Sequence, residues 1–441
     1  MPSSNNRRPR VLHVLPMYGA ELTNGSEYHS RMLATRLVRR GLSVDVFTTC
    51  TARLTTPSPL ALRWAADYPV GREDDEGVTI TRFPARASLP PAVARMLSAA
   101  VLARWKMEAR RHGTMLKGSA KLVAYHERCA RTRPAVYDRL FQLCLGPWSP
   151  RLFEGVRQVL PQYDLVQTGF VPFSLPVRVA ALARRQRIPV VLLALFHPED
   201  AYHHHRVFYD CFSSVDAILS QTAYSTALFR RLAPGSNPVE VGPGVDSEAF
   251  LDPRVSGERF RARHGLADRR LVLFVGRKEH GKRYDLAVDA VDRLADDRIR
   301  LVLIGEDIDL KPVLSPRVVY LGRLPRAELI DAFDAADVLV APSEHESFGM
   351  VFLEAWMRRK PVIGNAGCGP VAALLGEGED GFLCRNSEEI ALRIRSLLDD
   401  PALARRLGEN GYRKTMAHHT WDAVADKVAD LYGTLIERRA P

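Results

Sequence analysis

The sequence predicts an α/β protein of two doubly wound domains, each built on a parallel sheet. Three observations lead there. The chain has 441 residues, too many for one core by the usual scaling of surface with size. Buried-strand runs alternate with helix-like stretches from the start, an order that implies parallel strands joined by right-handed crossovers. The alternation stops at a turn-rich stretch, Gly242-Pro243-Gly244 to Asp252-Pro253, and then begins again.

Val11–Pro16 reads as the first strand, followed by a loop, Met17–Ser26. A helix then runs to about Arg40 and stops at Gly41, with Arg39 and Arg40 where the dipole favours cations. Ser43–Thr49 is the next strand. The stretch 89–162 has no strong strand and reads as a helical insertion, Ala92–Ala109 then Leu116–Arg131. Strands resume at Asp164–Gln167, Pro189–Phe196 and Ala217–Ser220. Beyond the turn-rich stretch come Leu271–Val275, Leu301–Ile304, Val338–Ala341 and Pro361–Ile363, and a last helix, Asp422–Glu437, preceded by Trp421. The expected domains are 1–250 and 251–420, with 421–441 as a terminal helix. In such sheets ligands bind outside the carboxyl ends of the strands, so a cleft lined by those ends is expected.

Composition narrows the function. Hydrophobic content of 46% and charged content of 26% suit a folded, soluble protein. No apolar run is long enough to span a bilayer, and the six scattered cysteines form no CxxC pair, which points to a reducing cytoplasm. The net charge of +11 is uneven. Residues 86–187 hold 18 Lys/Arg against five Asp/Glu, a surplus of 13, so the remainder is close to neutral. That segment suits a phosphate-rich partner, an anionic membrane surface or an acidic acceptor, with a solvated helical face as the plain alternative. It has no recognised nucleic-acid module, and nucleic acid is not an expected partner. No dinucleotide fingerprint G-x-G-x-x-G is present, which weakens a dehydrogenase reading.

The stretch Pro342–Gly364 carries the most chemistry. A strand ends at Ala341, a polar loop follows, and a helix is expected from about Ser347, its N-cap, to Lys360. The helix start, with free amides and Gly349 allowing close approach, suits a diphosphate. Glu346 lies before it and Glu354 about 12 Å further along at about 1.5 Å per residue. That span is too long for an acid/base pair on one bond but fits two contacts on one elongated ligand. The plain alternative leaves Glu346 on the helix dipole and Glu354 solvated. A second cluster follows the strand Leu271–Val275: Gly276-Arg277-Lys278-Glu279-His280-Gly281-Lys282-Arg283, with a helix from Tyr284. Arg277 at the strand end and Lys282 at the helix mouth suit a diphosphate leaving group, against the alternative of a charged loop.

These two clusters resemble retaining glycosyltransferases of family 4, of the GT-B fold: two Rossmann-like domains facing a cleft. Gly242-Pro-Gly-Val-Asp246, Leu321-Gly322, Gly381-Phe-Leu383 and the helix after Trp421, which in the family returns to the first domain, agree with it. The resemblance implies transfer of a sugar from a nucleoside diphosphate sugar (UDP- or GDP-sugar) to an acceptor hydroxyl, with the donor held mainly by the second domain. By position, Glu346 would take the sugar hydroxyls, Glu354 the ribose, and Arg277 and Lys282 the diphosphate. The implied donor set also includes Gly25, Ser26, Gly276, Gly322, Arg323, Leu324, Ser347, Phe348, Gly349 and Met350. His197, in Phe196-His197-Pro198, stands where the family often carries a histidine near the anomeric carbon, and Asn24, Gly25 and His29 fall on the acceptor side. No cofactor and no metal are expected; adjacent His203, His204 and His205 cannot all face one ion. The family's first-strand glycine-rich loop is longer here, and a family glutamate is replaced near Gly369-Pro370-Val371. A lipid-linked or polysaccharide acceptor at the inner face of the membrane is the leading expectation. A soluble small acceptor, another GT-B chemistry (epimerase or phosphorylase) and a non-catalytic binding protein remain as alternatives.

Overall fold

The computed structural model describes residues 7–19, 25–51, 66–86, 119–134 and 146–439, with isolated positions between 92 and 96 and between 136 and 142. The expected helix Ala92–Ala109 lies largely outside the described residues. The chain divides into two compact units, 1–241 together with 424–441, and 242–423.

The first unit is built on an eight-stranded sheet: β1 (Arg10–Val14), β2 (Ser43–Thr49), β3 (Gly71–Asp75), β4 (Val78–Phe83), β5 (Leu165–Gly169), β6 (Val190–Leu193), β7 (Ala217–Ser220) and β8 (Pro238–Glu240). Their order is β3-β4-β2-β1-β5-β6-β7-β8, all parallel except the β3–β4 pair. β1 and β5–β7 are near-continuous apolar runs because both faces are covered. Between β1 and β2 runs α1 (Gly25–Arg39). The sequence pattern missed β3, where four of five residues in GREDD are charged on the edge of the sheet, and with it the alternating β4, VTITRF. β6 ends at Leu193, short of the expected Phe196, because Leu195 takes a left-handed φ of +48° that turns the chain. Within the expected insertion, helices form at Ser119–Thr132 and Pro150–Val159.

The core of this unit centres on Phe196, Phe212 and Phe229, whose rings meet edge to face at 5.1–5.9 Å. Residues 424–437 of the last helix belong to it as well. Tyr432 donates from its hydroxyl to Gln167 of β5, and its ring meets His13 of β1 edge-on at 6.5 Å. Arg40 pairs with Asp426.

The second unit carries six parallel strands, β9 (Arg270–Val275), β10 (Ile299–Ile304), β11 (Val318–Tyr320), β12 (Val338–Ala341), β13 (Val362–Asn365) and β14 (Gly381–Cys384). Gly381-Phe-Leu383 is therefore part of a strand, paired with β13 through Val362↔Gly381 and Ile363↔Phe382. The sheet order is β11-β10-β9-β12-β13-β14. The division between units falls at Val241–Gly242 rather than at 250–251. Val245 donates to the His419 carbonyl and Trp421 to that of Val245, so the Gly242–Asp246 turn packs with the end of this unit. Among the described residues no helix is long and apolar enough to cross a membrane.

At least five histidines of the first unit are buried as neutral rings: burial lowers the pKa of His13 to about 3, of His29 to about 4 and of His204 to about 3, and it lowers those of His203 and His205 as well. The unfolded chain takes up these protons near pH 6.5 and the folded unit does not, so stability falls as pH drops from about 6.5 towards 4. Each ring contributes up to about 1.4 kcal/mol per pH unit in that window. Thermal melts from pH 7.5 to 4.5 should show a steep fall in Tm below pH 6.5, and His13→Asn should make the fall shallower. A flat profile would contradict the buried neutral state.

Candidate functional site

Strand order in the second sheet reverses at one place. The chain leaves β9 to build β10 on one side, and returns to build β12 on the other, through Val338↔Val272 and Leu339↔Leu273. Loops leaving the carboxyl ends of such a pair diverge and open a crevice, the usual ligand position of doubly wound sheets. The loop after β9 spans 276–283 and leads into α2 (Tyr284–Leu294); the loop after β12 spans 342–349 and leads into α3 (Met350–Met357). Both sequence clusters therefore sit at the reversal.

The two loops are joined directly. Lys282, in the short turn His280–Lys282, places Nζ 2.7 Å from Oε1 of Glu346, with side chains 20% and 13% exposed. The Glu344 amide donates to the Gly281 carbonyl at 3.0 Å, and the Arg283 guanidinium binds the Glu344 carboxylate. Arg277 shares the β9 loop but pairs with Glu279 at 2.8 Å and is 60% exposed. Lys282 and Glu346 are thus brought together, and Arg277 stands beside them on the same loop with its own partner.

Helix α3 departs from the expected Ser347–Lys360. It begins at Met350, because Phe348 turns inward to 2% exposure with its ring 5.4 Å from His419, and Gly349 follows with φ of +99°. A Cβ on Gly349 would lie 2.8 Å from the Phe352 ring, so a side chain is excluded there twice over. Ser347 lies in the loop and is not the N-cap. The helix stops at Met357: Arg359 adopts φ of +53°, and Arg358 and Lys360 both donate back to Ala355. Arg358 and Arg359 serve Asp334 and Glu409 rather than the helix dipole. Glu346 consequently sits outside the helix, and the separation computed along one helix does not hold. Glu354 is buried, not solvated, and accepts from Arg326 at 2.7 Å.

The remaining donor-side residues cluster along the neighbouring strand ends. Gly276 follows β9; Gly322, with φ of +64°, accepts at its carbonyl from the Gly305 amide. Arg323 faces Glu306 at 3.8 Å, and Leu324 and Met350 pack half-buried on the core. A Cβ on Gly305 would meet the Gly276 carbonyl oxygen at 1.9 Å, so the β9 and β10 loops touch through bare backbone.

In the first unit, Asn24 lies outside the described residues. Gly25 opens α1, the Ser26 hydroxyl donates to Glu27, and His29 is buried. His197 is exposed in the loop after β6, its amide donating to Nδ1 of His203 at 3.2 Å. Burial positions the adjacent histidines: His204 uses both ring nitrogens, on the Tyr209 hydroxyl and the Pro198 carbonyl, and His205 faces Asp138 at 2.8 Å.

Sequence reasoning passed over Lys278, Glu344 and Arg326, each of which makes an ion pair that knits this region together. Their partners are 29, 61 and 28 residues away in the chain, beyond any local pattern. A cavity of about 520 Å³ lies elsewhere, at β14, lined by Glu377, Leu383, Arg385, Glu389 and Arg393. Its charges largely serve one another: Arg393 binds Glu377, while Glu377 and Glu389 accept from the Leu383 and Arg385 amides.

With this geometry in hand, similarity to known proteins becomes specific. Residues 256–414 match the family described as glycosyl transferases group 1. The matched stretch resembles group 1 glycosyltransferases. It contains both crevice loops. The chain is 33% identical over 244 residues to a D-inositol 3-phosphate glycosyltransferase of Kineococcus radiotolerans, covering 47% of this chain and 54% of that protein. It is 28% identical over 330 residues to the sulfoquinovosyl transferase SQD2 of Arabidopsis thaliana, covering 68% and 61%. The chain thus spans roughly half to three-fifths of the length of these relatives. Among solved structures, sucrose-phosphate synthase from Thermosynechococcus elongatus superposes with a TM-score of 0.66 at 20% identity, covering 98% of this chain and 100% of that one. Anabaena HepE in complex with UDP superposes with a TM-score of 0.67 at 15% identity, covering 96% and 100%. The fold is that of GT-B glycosyltransferases, two Rossmann-like domains on parallel sheets.

The second unit makes one steric demand that can be checked. Gly305→Ala should force the β9 and β10 loops apart and cost at least about 2 kcal/mol, as overpacked backbone contacts do. Urea unfolding of the variant against the parent protein measures it; unchanged stability would mean that the loops do not meet as described.

Proposed function

We propose that this chain is a retaining glycosyltransferase of the family 4 kind, moving a hexosyl group from a UDP- or GDP-sugar to an acceptor hydroxyl. The observation that carries the reading is the Lys282–Glu346 pair at the strand-order reversal of a unit that resembles group 1 glycosyltransferases. A cation and a carboxylate placed side by side suit a ligand with a diphosphate next to sugar hydroxyls. That HepE was solved with UDP, and with UDP-glucose, supports a nucleotide sugar as the donor.

In this reading the bond between the anomeric carbon and the diphosphate oxygen breaks, and a bond to the acceptor oxygen forms on the same face. The acceptor's proton passes to the departing phosphate. Negative charge grows on the diphosphate, and Lys282, Arg277 and the start of α3 act where preorganised charge matters most. Glu346 holds the donor sugar together with the loop Ser347–Gly349 and Met350, and Glu354, oriented by Arg326, holds the ribose. Gly276, Gly322, Arg323 and Leu324 border the nucleotide. By resemblance the first unit's Gly25 and Ser26 are assigned to the donor, His197 to the sugar, and Asn24 and Gly25 to the acceptor, while the buried His29 is left out of that set. Charge neutralisation rests with the two cations, and the reading calls for no metal or cofactor.

For the acceptor, the basic segment 86–187 supports a lipid-linked or polysaccharide substrate met at an anionic membrane surface. Cys50, Cys129, Cys211, Cys368 and Cys384 are free thiols, which suits the cytoplasm, with the protein peripheral on the inner face of the membrane. The relative named for D-inositol 3-phosphate favours a second reading, a small soluble acceptor.

Lys282→Ala and Glu346→Ala should each lower turnover at least a hundred-fold in a nucleotide-release assay with UDP- or GDP-sugar donors, while the melting temperature moves little. Near-parental turnover in either would refute the assigned roles, and proton NMR of the first-formed product should show the donor's anomeric configuration. Sedimentation with vesicles containing anionic lipid at low salt separates the acceptor readings: absence of binding favours the soluble one.

A further inference from the structure

Lys278 stands between the two site residues of the β9 loop, yet it points away from solvent, only 2% exposed. Its ammonium lies 2.6 Å from Oδ1 of Asp307 and donates to the Lys311 carbonyl at 2.7 Å. It also sits over two rings, Tyr284 at the start of α2 (5.2 Å) and Tyr320 at the end of β11 (6.0 Å). The backbone of the same residue is equally engaged. Its amide donates to the Glu306 carbonyl at 2.8 Å, and its carbonyl accepts from the Ile308 and Asp309 amides at 3.1 Å each. Tyr320 completes the arrangement by donating to the Gly305 carbonyl at 2.9 Å.

One lysine therefore clamps three strand ends, those of β9, β10 and β11. Burial works against its charge, but the hydrogen bond to Asp307 and the nearby Tyr284 and Asp309 outweigh burial and hold it above the ordinary lysine range. A buried ammonium is costly unless paired and hydrogen-bonded, and an apolar side chain of similar volume fills such a space without that cost. What an apolar chain lacks is direction: it does not dictate where the carboxylate of Asp307 and the carbonyl of Lys311 must lie.

We propose that Lys278 is a positioning residue for diphosphate recognition: by fixing residues 305–311 against the β9 loop, it sets Arg277 and Lys282 in place. This rests on the reading that the β9 loop receives a nucleoside diphosphate. Lys278 touches no substrate; it acts through the two cations on either side of it. The consequence is selective. Loss of the clamp should weaken contacts to the second phosphate more than those to the ribose, which Glu354 and its Arg326 partner hold.

The test is calorimetric titration of the full chain with UDP, GDP, ADP and TDP and with their monophosphates. Lys278→Met keeps the stem and removes the charge; Asp307→Asn removes the charged partner from a half-buried position and serves where the first variant does not fold. In both, affinity for the preferred diphosphate should fall ten-fold or more, while affinity for its monophosphate changes less than three-fold. Parental diphosphate affinity in the variants, or equal loss for both nucleotides, would overturn the positioning role. Failure of the folded parent protein to bind any diphosphate would instead overturn the donor-binding reading itself, and the inference with it.

Discussion

The reversal of strand order between β9 and β12 constrains everything functional in the second unit. Crossover helices cover the faces of a parallel sheet, but two neighbouring strands whose connections leave in opposite directions expose their carboxyl ends. Both chains leaving that point must satisfy their backbone groups without a partner strand. They do so on one another, through Glu344 to Gly281, and by an ion pair between Lys282 and Glu346. Lys282 and Glu346, which join the two loops, are also the residues to which the proposed reading gives the chemistry.

Close backbone approach explains how so many polar groups fit there. Gly305 allows the β10 loop to rest against the Gly276 carbonyl, and Gly349 allows the α3 turn to fold over Phe352. Each contact brings a neighbouring ion pair into range: Lys278 with Asp307 in the first case, Glu346 with Lys282 in the second. Apolar packing supplies the other half. Phe348, Phe352 and Trp356 are buried on one core with Ala341 of β12, so the loop between β12 and α3 is anchored on both sides of Glu346.

Much of this was legible in the residues. Buried strands such as Val338–Ala341 and Ala217–Ser220 show themselves as short apolar runs bounded by turn residues, and both fall where the pattern puts them. The two site loops are visible because their glycines and charges follow directly on such strands. The failures share one cause. β3 is charged at four of its five residues and exists only through its pairing with β4. The start of α3 differs because serine is a good N-cap in general, whereas here the burial of Phe348, two positions before Met350, decides the geometry. The partners of Glu354 and Lys278 did not show in the sequence, since Arg326 and Asp307 lie on other elements. Local patterns report propensity and periodicity; they do not report which distant charge will be waiting.

The family match stops at residues 256–414, and chemistry gives a reason for that asymmetry. On the proposed reading the second unit must recognise one constant object, a nucleotide joined through a diphosphate to a sugar, and few loop geometries do so. On the same reading the first unit would face an acceptor whose shape differs from one enzyme to the next, as the names of the similar proteins themselves differ. Its sheet follows the same doubly wound plan, with a reversal between β1 and β5, yet the residues around its strand ends follow another logic. There, Phe170 and Leu195 turn the chain with positive φ and no glycine, and His204 and His205 are spent on internal hydrogen bonds. A scaffold held by buried aromatic and imidazole contacts leaves the loops above it free to vary, which is what a changing acceptor requires. The constant half of the reaction is thus built from charge pairs at a fixed topological point, and the variable half from packing.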